Sequence, residues 1–531
     1  MVRMVIALLV VSGTISAIAL GEQADESRSA SQAVRLELKR RGEDGGAVLE
    51  PVSIDPARTA IVVIDMWDRH WCETYNSRVG NLVPRMNQTL RAARELGIQV
   101  VHAPSDTMEF YKDYPQRQAM QSIADQPIPE TVDFNPPEPP GGKDCCECGP
   151  DRPCTPHAAW TRQHPELEIV PGDLIGDSNN ARELLNLCGQ RGIETLIYTG
   201  VASNMCVLHR QFGLINMKRH GLDVVFVGDL VEAITANGYD PGRKEEDANF
   251  TPAGGSATVQ RHLERYVAPS IESRQLIAAA GLDEHAGDDR PHVVFVVAEE
   301  EYDTQDTLPA FAEQYLGPDF RLSFVHADPE DRNHLPGLDV LYDADLLVLS
   351  VRRRFPPVVE MDHLERYLRS GRPLVAIRTS CVPFAATNLR SVPGELKRPG
   401  PGHVVWQRFD QEVLGCNYQG YDPESRKTGC DVWIVPEASD HAILKGIEPA
   451  GFHSRSWLYK MRPLAETVRP ILMGRWSDQE EPEPVAWTNT YHGGRVFYTS
   501  LGHPDDFKLP AFNLLLLGAV RWALDRPAPS P

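Results

Sequence analysis

The chain has 531 residues, 42% hydrophobic and 24% charged, and its 74 Asp and Glu against 53 Lys and Arg leave a net charge of −21. Ample apolar content and only ten cysteines exclude a disordered tail protein and a small disulfide knot. The acidic balance argues against nucleic acid as a partner, because phosphate-backbone binding needs clustered Lys and Arg. At roughly 100–200 residues per domain the length suits two to four domains.

Residues 1–19 read as a secretory signal. Arg3 is the basic start, an apolar run covers Val5 to Val11, and Ala17-Ile18-Ala19 has the small residues of a cleavage site. No later run approaches 18 apolar residues, so no membrane span is expected once the signal is removed. The expected location is exported, periplasmic or extracellular, where cysteines can pair. Residues 20–50 are polar and charged and read as a linker.

A first α/β domain is expected over 51–275. Ala60-Ile61-Val62-Val63-Ile64-Asp65 is a continuous apolar run ending in a carboxylate, as in a strand buried on both faces. An amphipathic stretch from Val83 to Leu96, the C-cap candidate Gly97 and a second apolar run at Ile98 to Val101 give the βαβ signature of a parallel sheet. After a Pro- and Cys-rich insertion, 127–156, the alternation resumes. Leu167–Val170, Thr195–Thr199 and Val224–Val227 are strand-like; Ala181–Gln190, Asn204–Arg219 and Val259–Tyr266 are helical. Residues 276–291 are polar and rich in Gly and Pro, which marks a second linker. A further α/β series covers 292–527, with strands at His292–Ala298, Arg321–Val325, Ala344–Val351 and Pro373–Ile377. Asp362–Leu368 is helical, and the end runs from Gly494 to His503 into an apolar helix at Phe512–Leu524. The fold class is therefore α/β, two doubly wound domains, each with a mostly parallel central sheet flanked by helices.

The stretch Tyr198-Thr199-Gly200-Val201-Ala202-Ser203-Asn204-Met205-Cys206 carries the chemistry. A buried strand ends at Gly200 and Cys206 falls in the first turn of the next helix. The helix terminus there is expected to lower the thiol pKa, and its N–H groups to hold a developing oxyanion. Strand ends of a parallel sheet share one edge, so Asp65 and Cys206 can line one crevice, with the carboxylate taking the thiol proton. Read singly, each residue is equally a turn carboxylate or a small buried hydrophobe.

Ile61 to Asp65 together with Gly200 to Val207 resembles the isochorismatase-like cysteine hydrolases, over roughly 55 to 270. The resemblance implies Asp65 as general base, Cys206 as nucleophile, and a cis peptide at Val201-Ala202 that shapes the oxyanion hole. It also implies hydrolysis of a small amide, ureido compound or vinyl ether. Two features depart from the family. Its Lys at the end of the third strand is missing from Glu168 to Asp173, and Arg162, Lys143 or Lys112 could substitute from a loop. Met108 stands where nicotinamidases place a metal-binding His, so no metal and no cofactor are expected.

Cys145, Cys146, Cys148 and Cys154 crowd the insertion, a candidate lid beside the crevice. Disulfides stapling a long loop, a zinc site and reduced thiols are all open readings, and the spacing departs from that of zinc ribbons. Cys416 and Cys430 are a further candidate pair. Cys381, in Val375 to Pro383, sits where a strand enters a turn, with Val382 and Pro383 fitting a nucleophile elbow poorly.

Gly494 to His503, Ile377-Arg378-Thr379-Ser380 and Glu483 to Trp487 resemble the trehalose-utilisation (ThuA-like) domains, whose fold is similar to class I glutamine amidotransferases. Val382 stands where relatives carry a His. The resemblance implies a sugar-related ligand for the second domain. The expected function is an exported hydrolase cleaving a non-peptide C–N bond of a small-molecule substrate through Cys206. The alternative is a non-catalytic carbohydrate or small-ligand binding protein that keeps both folds. The oligomeric state stays open, a homo-oligomer included.

Overall fold

The computed structural model describes residues 33–140, 160–235, 252–283, 288–385, 402–448, 450–478 and 480–525. The segment expected as a signal and Cys145, Cys146, Cys148 and Cys154 lie outside the described residues.

Eight strands form the first sheet: β1 (Val34–Arg41), β2 (Ala47–Ile54), β3 (Thr59–Ile64), β4 (Gln99–Ala103), β5 (Leu174–Ile175), β6 (Thr195–Val201), β7 (Asp223–Glu232) and β8 (Ser270–Ile271). Their order is β2-β1-β8-β7-β6-β3-β4-β5, parallel from β8 to β5. β3 is fully buried along its length, as its unbroken apolar run requires. From β3 the chain winds outward to β4 on one side and, after the return to β6, outward to β7 on the other. The boundary between β3 and β6 is therefore the switch point, where the crevice of a doubly wound sheet opens.

The second sheet has nine strands: β9 (His292–Ala298), β10 (Arg321–His326), β11 (Leu346–Val351), β12 (Leu374–Ile377), β13 (Cys430–Ile434), β14 (Phe452–Ser454), β15 (Arg469–Arg475), β16 (Glu483–Tyr491) and β17 (Gly494–Thr499). The order is β10-β9-β11-β12-β17-β16-β15-β13-β14. Strands β10 to β17 along this order are parallel, and β16, β15, β13 and β14 extend the sheet antiparallel. Across both sheets the pairing is mostly parallel, and helices flank them.

Several local expectations are corrected. The linker placed at 20–50 contains the β1–β2 hairpin from residue 34 on. In Val34-Arg35-Leu36-Glu37-Leu38 the apolar residues alternate and are buried, a period-2 strand pattern hidden by its high charge. Leu167–Val170 is not a strand. Val170 N–H is held by the Asp173 carboxylate at 2.9 Å, and Asp173 N–H returns to Val170 O at 3.2 Å, which makes a turn at Pro171-Gly172. The third parallel strand follows it as β5. The helix expected from Val83 begins at Glu73, N-capped by the Cys72 thiol, and helix Ser273–Ala279 runs into the second expected linker. The helix expected over Asn204–Arg219 is two, Cys206–His209 and Leu214–Arg219. Cys416 and Cys430, expected as a pair, are separate buried thiols that belong to different cores of the second sheet.

The two units meet through a buried charge square. Arg78, on helix Glu73–Leu96, donates through Nε to Glu232 at 2.8 Å and pairs with Asp362. Arg366, on helix Val358–Arg369, donates through Nε to Asp362 at 2.9 Å and pairs with Glu232. Glu232 and Asp362 have fully buried side chains, so each carboxylate depends on both guanidiniums for its solvation. Arg85 with Asp343 and Arg372 with Glu272 add ion pairs across the same boundary. Arg366→Leu leaves one cation between two buried carboxylates and is expected to cost about 3 kcal/mol. Chemical denaturation checks this, and a change within about 0.5 kcal/mol of zero, the range of ordinary surface substitutions, contradicts it.

Candidate active site

β3 and β6 lie side by side in register, Ile64 opposite Gly200. Gly200 has φ 106°, and a Cβ there would sit 2.1 Å from the Ile64 carbonyl oxygen. Only glycine permits this approach of the two strands, which brings the residues that follow them together. Asp65 turns out of β3 at φ 45°, a left-handed conformation uncommon for a residue with a Cβ. The Val201-Ala202 peptide bond is cis. Beyond it the loop is tied down on β7: Ser203 N–H donates to Glu232 O at 2.7 Å, and the Asn204 side chain donates to Ile234 O at 2.6 Å and accepts from Ile234 N–H at 3.1 Å.

Asp65 is completely buried. One carboxylate oxygen accepts from Ser105 N–H at 2.7 Å, and the carboxyl is hydrogen-bonded to the Cys206 thiol. The other oxygen accepts from Arg210 Nε at 3.2 Å. Arg210 is fixed in turn by Asn179 Oδ1 at 2.7 Å and Asp106 Oδ2 at 3.3 Å. It follows directly on the short helix Cys206–His209, so the turn that presents the thiol also presents the guanidinium.

Arg210 thus supplies the cation that Glu168 to Asp173 lacks, and neither Arg162 nor Lys112 does. Arg162 stacks over the Phe110 ring at 5.4 Å, Lys112 pairs with Glu109, and Lys143 lies outside the described residues. The exit of β5 at Gly176 has no room for a side chain, because a Cβ there would lie 2.7 Å from the Phe212 ring. The signal that could have found Arg210 is its spacing, four residues after Cys206.

The electrostatics correct the expectation of an acidified thiol. Burial, and then the neighbouring Asp65 charge, push the Cys206 thiol up to about 12, against the smaller opposing pull of Arg210. Burial also raises the Asp65 carboxyl, while Arg210 and Ser105 N–H pull it back down. A four-residue helix carries too little aligned dipole to offset the desolvation of a thiolate beside a carboxylate. Burial thus favours the neutral Cys206 thiol, hydrogen-bonded to the Asp65 carboxyl, and one guanidinium faces the pair.

An aromatic wall follows Asp65 in sequence. Trp67 stacks on Trp160 with centroids 3.8 Å apart, Trp71 lies 6.2 Å from Trp160, and Trp67 Nε1 donates to Ser105 O. Cys381 is buried, and burial pushes its thiol up to about 12. The left-handed residue at its turn is Arg378, at φ 50°, not the cysteine. Of the six described cysteines only Cys206 is not buried.

Residues 59–251 match the isochorismatase domain family, and residues 292–523 match the trehalose utilisation (ThuA) family. Among solved structures, a ThuA-like protein from Bacteroides uniformis is 17% identical over 45% of this chain and 94% of its own, with a TM-score of 0.32. An isochorismatase family protein from Burkholderia thailandensis is 14% identical over 42% of this chain and 96% of its own, with a TM-score of 0.23. N-carbamoylsarcosine amidase from Thermoplasma acidophilum is 13% identical over 41% and 96%, with a TM-score of 0.21. The curated proteins give no match. The chain joins a unit of the isochorismatase family to a following unit of the ThuA family.

Proposed function

We propose that the first unit is a cysteine hydrolase that cleaves a non-peptide, amide-type C–N bond of a small molecule in an exported protein. The observation that carries this reading is the hydrogen-bonded Asp65–Cys206 pair at the switch point with Arg210 behind the carboxylate. In the reaction the Cys206 sulfur attacks the substrate carbonyl carbon and its proton passes to Asp65. The N–H groups of Ala202 and Cys206 hold the oxyanion. Collapse breaks the C–N bond as Asp65 returns the proton to the leaving nitrogen. Water, deprotonated by Asp65, then hydrolyses the thioester, releasing the acid and restoring the thiol. Arg210 keeps Asp65 ionised in the resting state, which a base requires. Export rests on the N-terminal signal pattern. For the second unit we propose a sugar-related ligand, supported by the Tyr302, Trp457 and Tyr459 rings grouped around Arg378.

Cys206→Ala is expected to lower hydrolysis of a responsive amide by at least about 10³-fold. Iodoacetamide should label Cys206 before Cys72, Cys188, Cys381, Cys416 and Cys430, all buried. Uniform labelling, with no turnover across an amide panel, overturns the reading. Arg210→Leu is expected to move the acid limb of the pH–rate profile upward by about one to three pH units, because the carboxyl loses its cation. Arg210→Lys should restore part of the shift, and an unmoved limb contradicts the role of Arg210. Burial raises the folded pKa of Asp65, so its stabilising contribution is complete below the unfolded value and is lost as the pH rises through the folded one. Asp65→Asn is therefore expected to remove activity while raising stability at neutral pH by about 1 kcal/mol, a gain that shrinks in acid. Denaturation at both pH values checks it, and a loss of stability at neutral pH refutes it.

A further inference from the structure

A cavity of about 1050 Å³ lies between the two units. Its walls are the β1–β2 hairpin and the helices Pro252–Tyr266 and Ser273–Ala279 on one side, and helix Val358–Arg369 with the His492-Gly493 turn between β16 and β17 on the other. Among the described residues nine Arg and Lys side chains line it against five Asp and Glu. In a chain of net charge −21 a random patch would be acidic, so the excess is concentrated here.

Most of these cations have carboxylate partners. Arg372 and Arg274 share Glu272, at 2.8 and 3.0 Å. At one end of the cavity the cations crowd together. Arg41, Lys39 and Arg369 meet there; Glu264 lies 2.7 Å from Arg41 Nε and 4.0 Å from Lys39 Nζ, and Glu365 lies 3.6 Å from Arg369 Nε. Arg261, on helix Pro252–Tyr266 directly after the cavity-lining Gln260, adds a further cation without a carboxylate in ion-pair contact among the described residues. Its Nη2 donates to Thr258 Oγ1 at 3.1 Å, and its buried Nη1 has no hydrogen-bond partner among the described residues. The buried His492 Nε2 is in the same condition. Burial, with Arg41 and Arg369, pushes the Arg261 guanidinium down to about 10. Burial, with Arg261, Arg369 and Arg41, pushes the His492 imidazole down to about 3.

We propose that this end of the cavity binds a small polyanion, a molecule bearing phosphoryl or carboxylate groups with two or more negative charges, held between Arg41 and Arg261 of the first unit and Arg369 and His492 of the second. Guanidinium forks match the oxygens of both groups in paired hydrogen bonds. The ligand brings negative charge to this cluster and offers acceptors to Arg261 Nη1 and His492 Nε2. Because it touches both units, its binding strengthens their docking.

The test is thermal unfolding of the full chain in inorganic phosphate, pyrophosphate or citrate, with ionic strength held constant by sodium chloride. A saturable rise in Tm of about 3 °C or more is expected for at least one anion. A lower half-saturation for pyrophosphate or for citrate assigns the phosphoryl or the carboxylate source. Arg261→Gln should leave the anion-free Tm unchanged or higher, since it relieves crowding, and should raise the half-saturation concentration at least tenfold. His492→Gln should weaken the same response. No saturable shift at matched ionic strength overturns the proposal. So does an Arg261→Gln chain less stable in anion-free buffer, or a response that both variants leave intact.

Discussion

One buried negative charge at the meeting of β3 and β6 organises the first unit. A carboxylate without solvent access is costly, and Asp65 has none. What makes it tolerable is a short inventory: Ser105 N–H, the Cys206 thiol and the Arg210 guanidinium. Each part of the local fold serves that inventory. Gly200 lets the strands close, the left-handed turn at Asp65 aims the carboxylate across them, and the turn after β6 delivers thiol and guanidinium together. Remove the charge and the geometry becomes easier to fold. The site is thus a local conflict with stability of the kind that function imposes.

The second unit reaches this site from behind. Glu232 presents its main-chain carbonyl to Ser203 N–H, in the loop before Cys206, and to the Tyr75 hydroxyl at 3.3 Å. Its side chain is clamped by Arg78 and by Arg366 of the second unit. The same residue therefore anchors the loop of the candidate active site and the boundary between units. Two units joined by a buried charge square and several further ion pairs are held in one orientation, unlike domains tethered only by a linker. That fixed orientation also defines the walls of the cationic cavity, since neither unit alone surrounds it.

The sequence made some of this legible and hid the rest for identifiable reasons. Strands buried on both faces, with the unbroken apolar runs Ile61 to Ile64 and Leu346 to Leu349, were readable without ambiguity. The pairing of Asp65 with Cys206 followed from the rule that parallel strands end on one edge. Strand β1 was missed because its solvent face is densely charged, so composition masked a period of two. The antiparallel strands β13 to β16 were missed because they are separated by turns and long irregular segments, where no helix alternates with them. Arg210 was missed because a cation was sought at the end of the third strand, where a relative would carry it. A buried carboxylate needs a positive charge beside it, whichever segment brings it. The expected acid thiol failed because burial acts on every atom of the site, whereas the dipole of one helical turn is weak.

The account depends on Cys206 resting as a neutral thiol against an ionised Asp65. The direct measurement is the pH titration of thiolate absorbance near 240 nm, taken as the difference between the wild-type chain and Cys206→Ala. The account predicts no Cys206 thiolate through pH 9, with the proposed hydrolysis running well below that pH. A thiolate that forms with a midpoint below the ordinary thiol value of about 8.5 contradicts it.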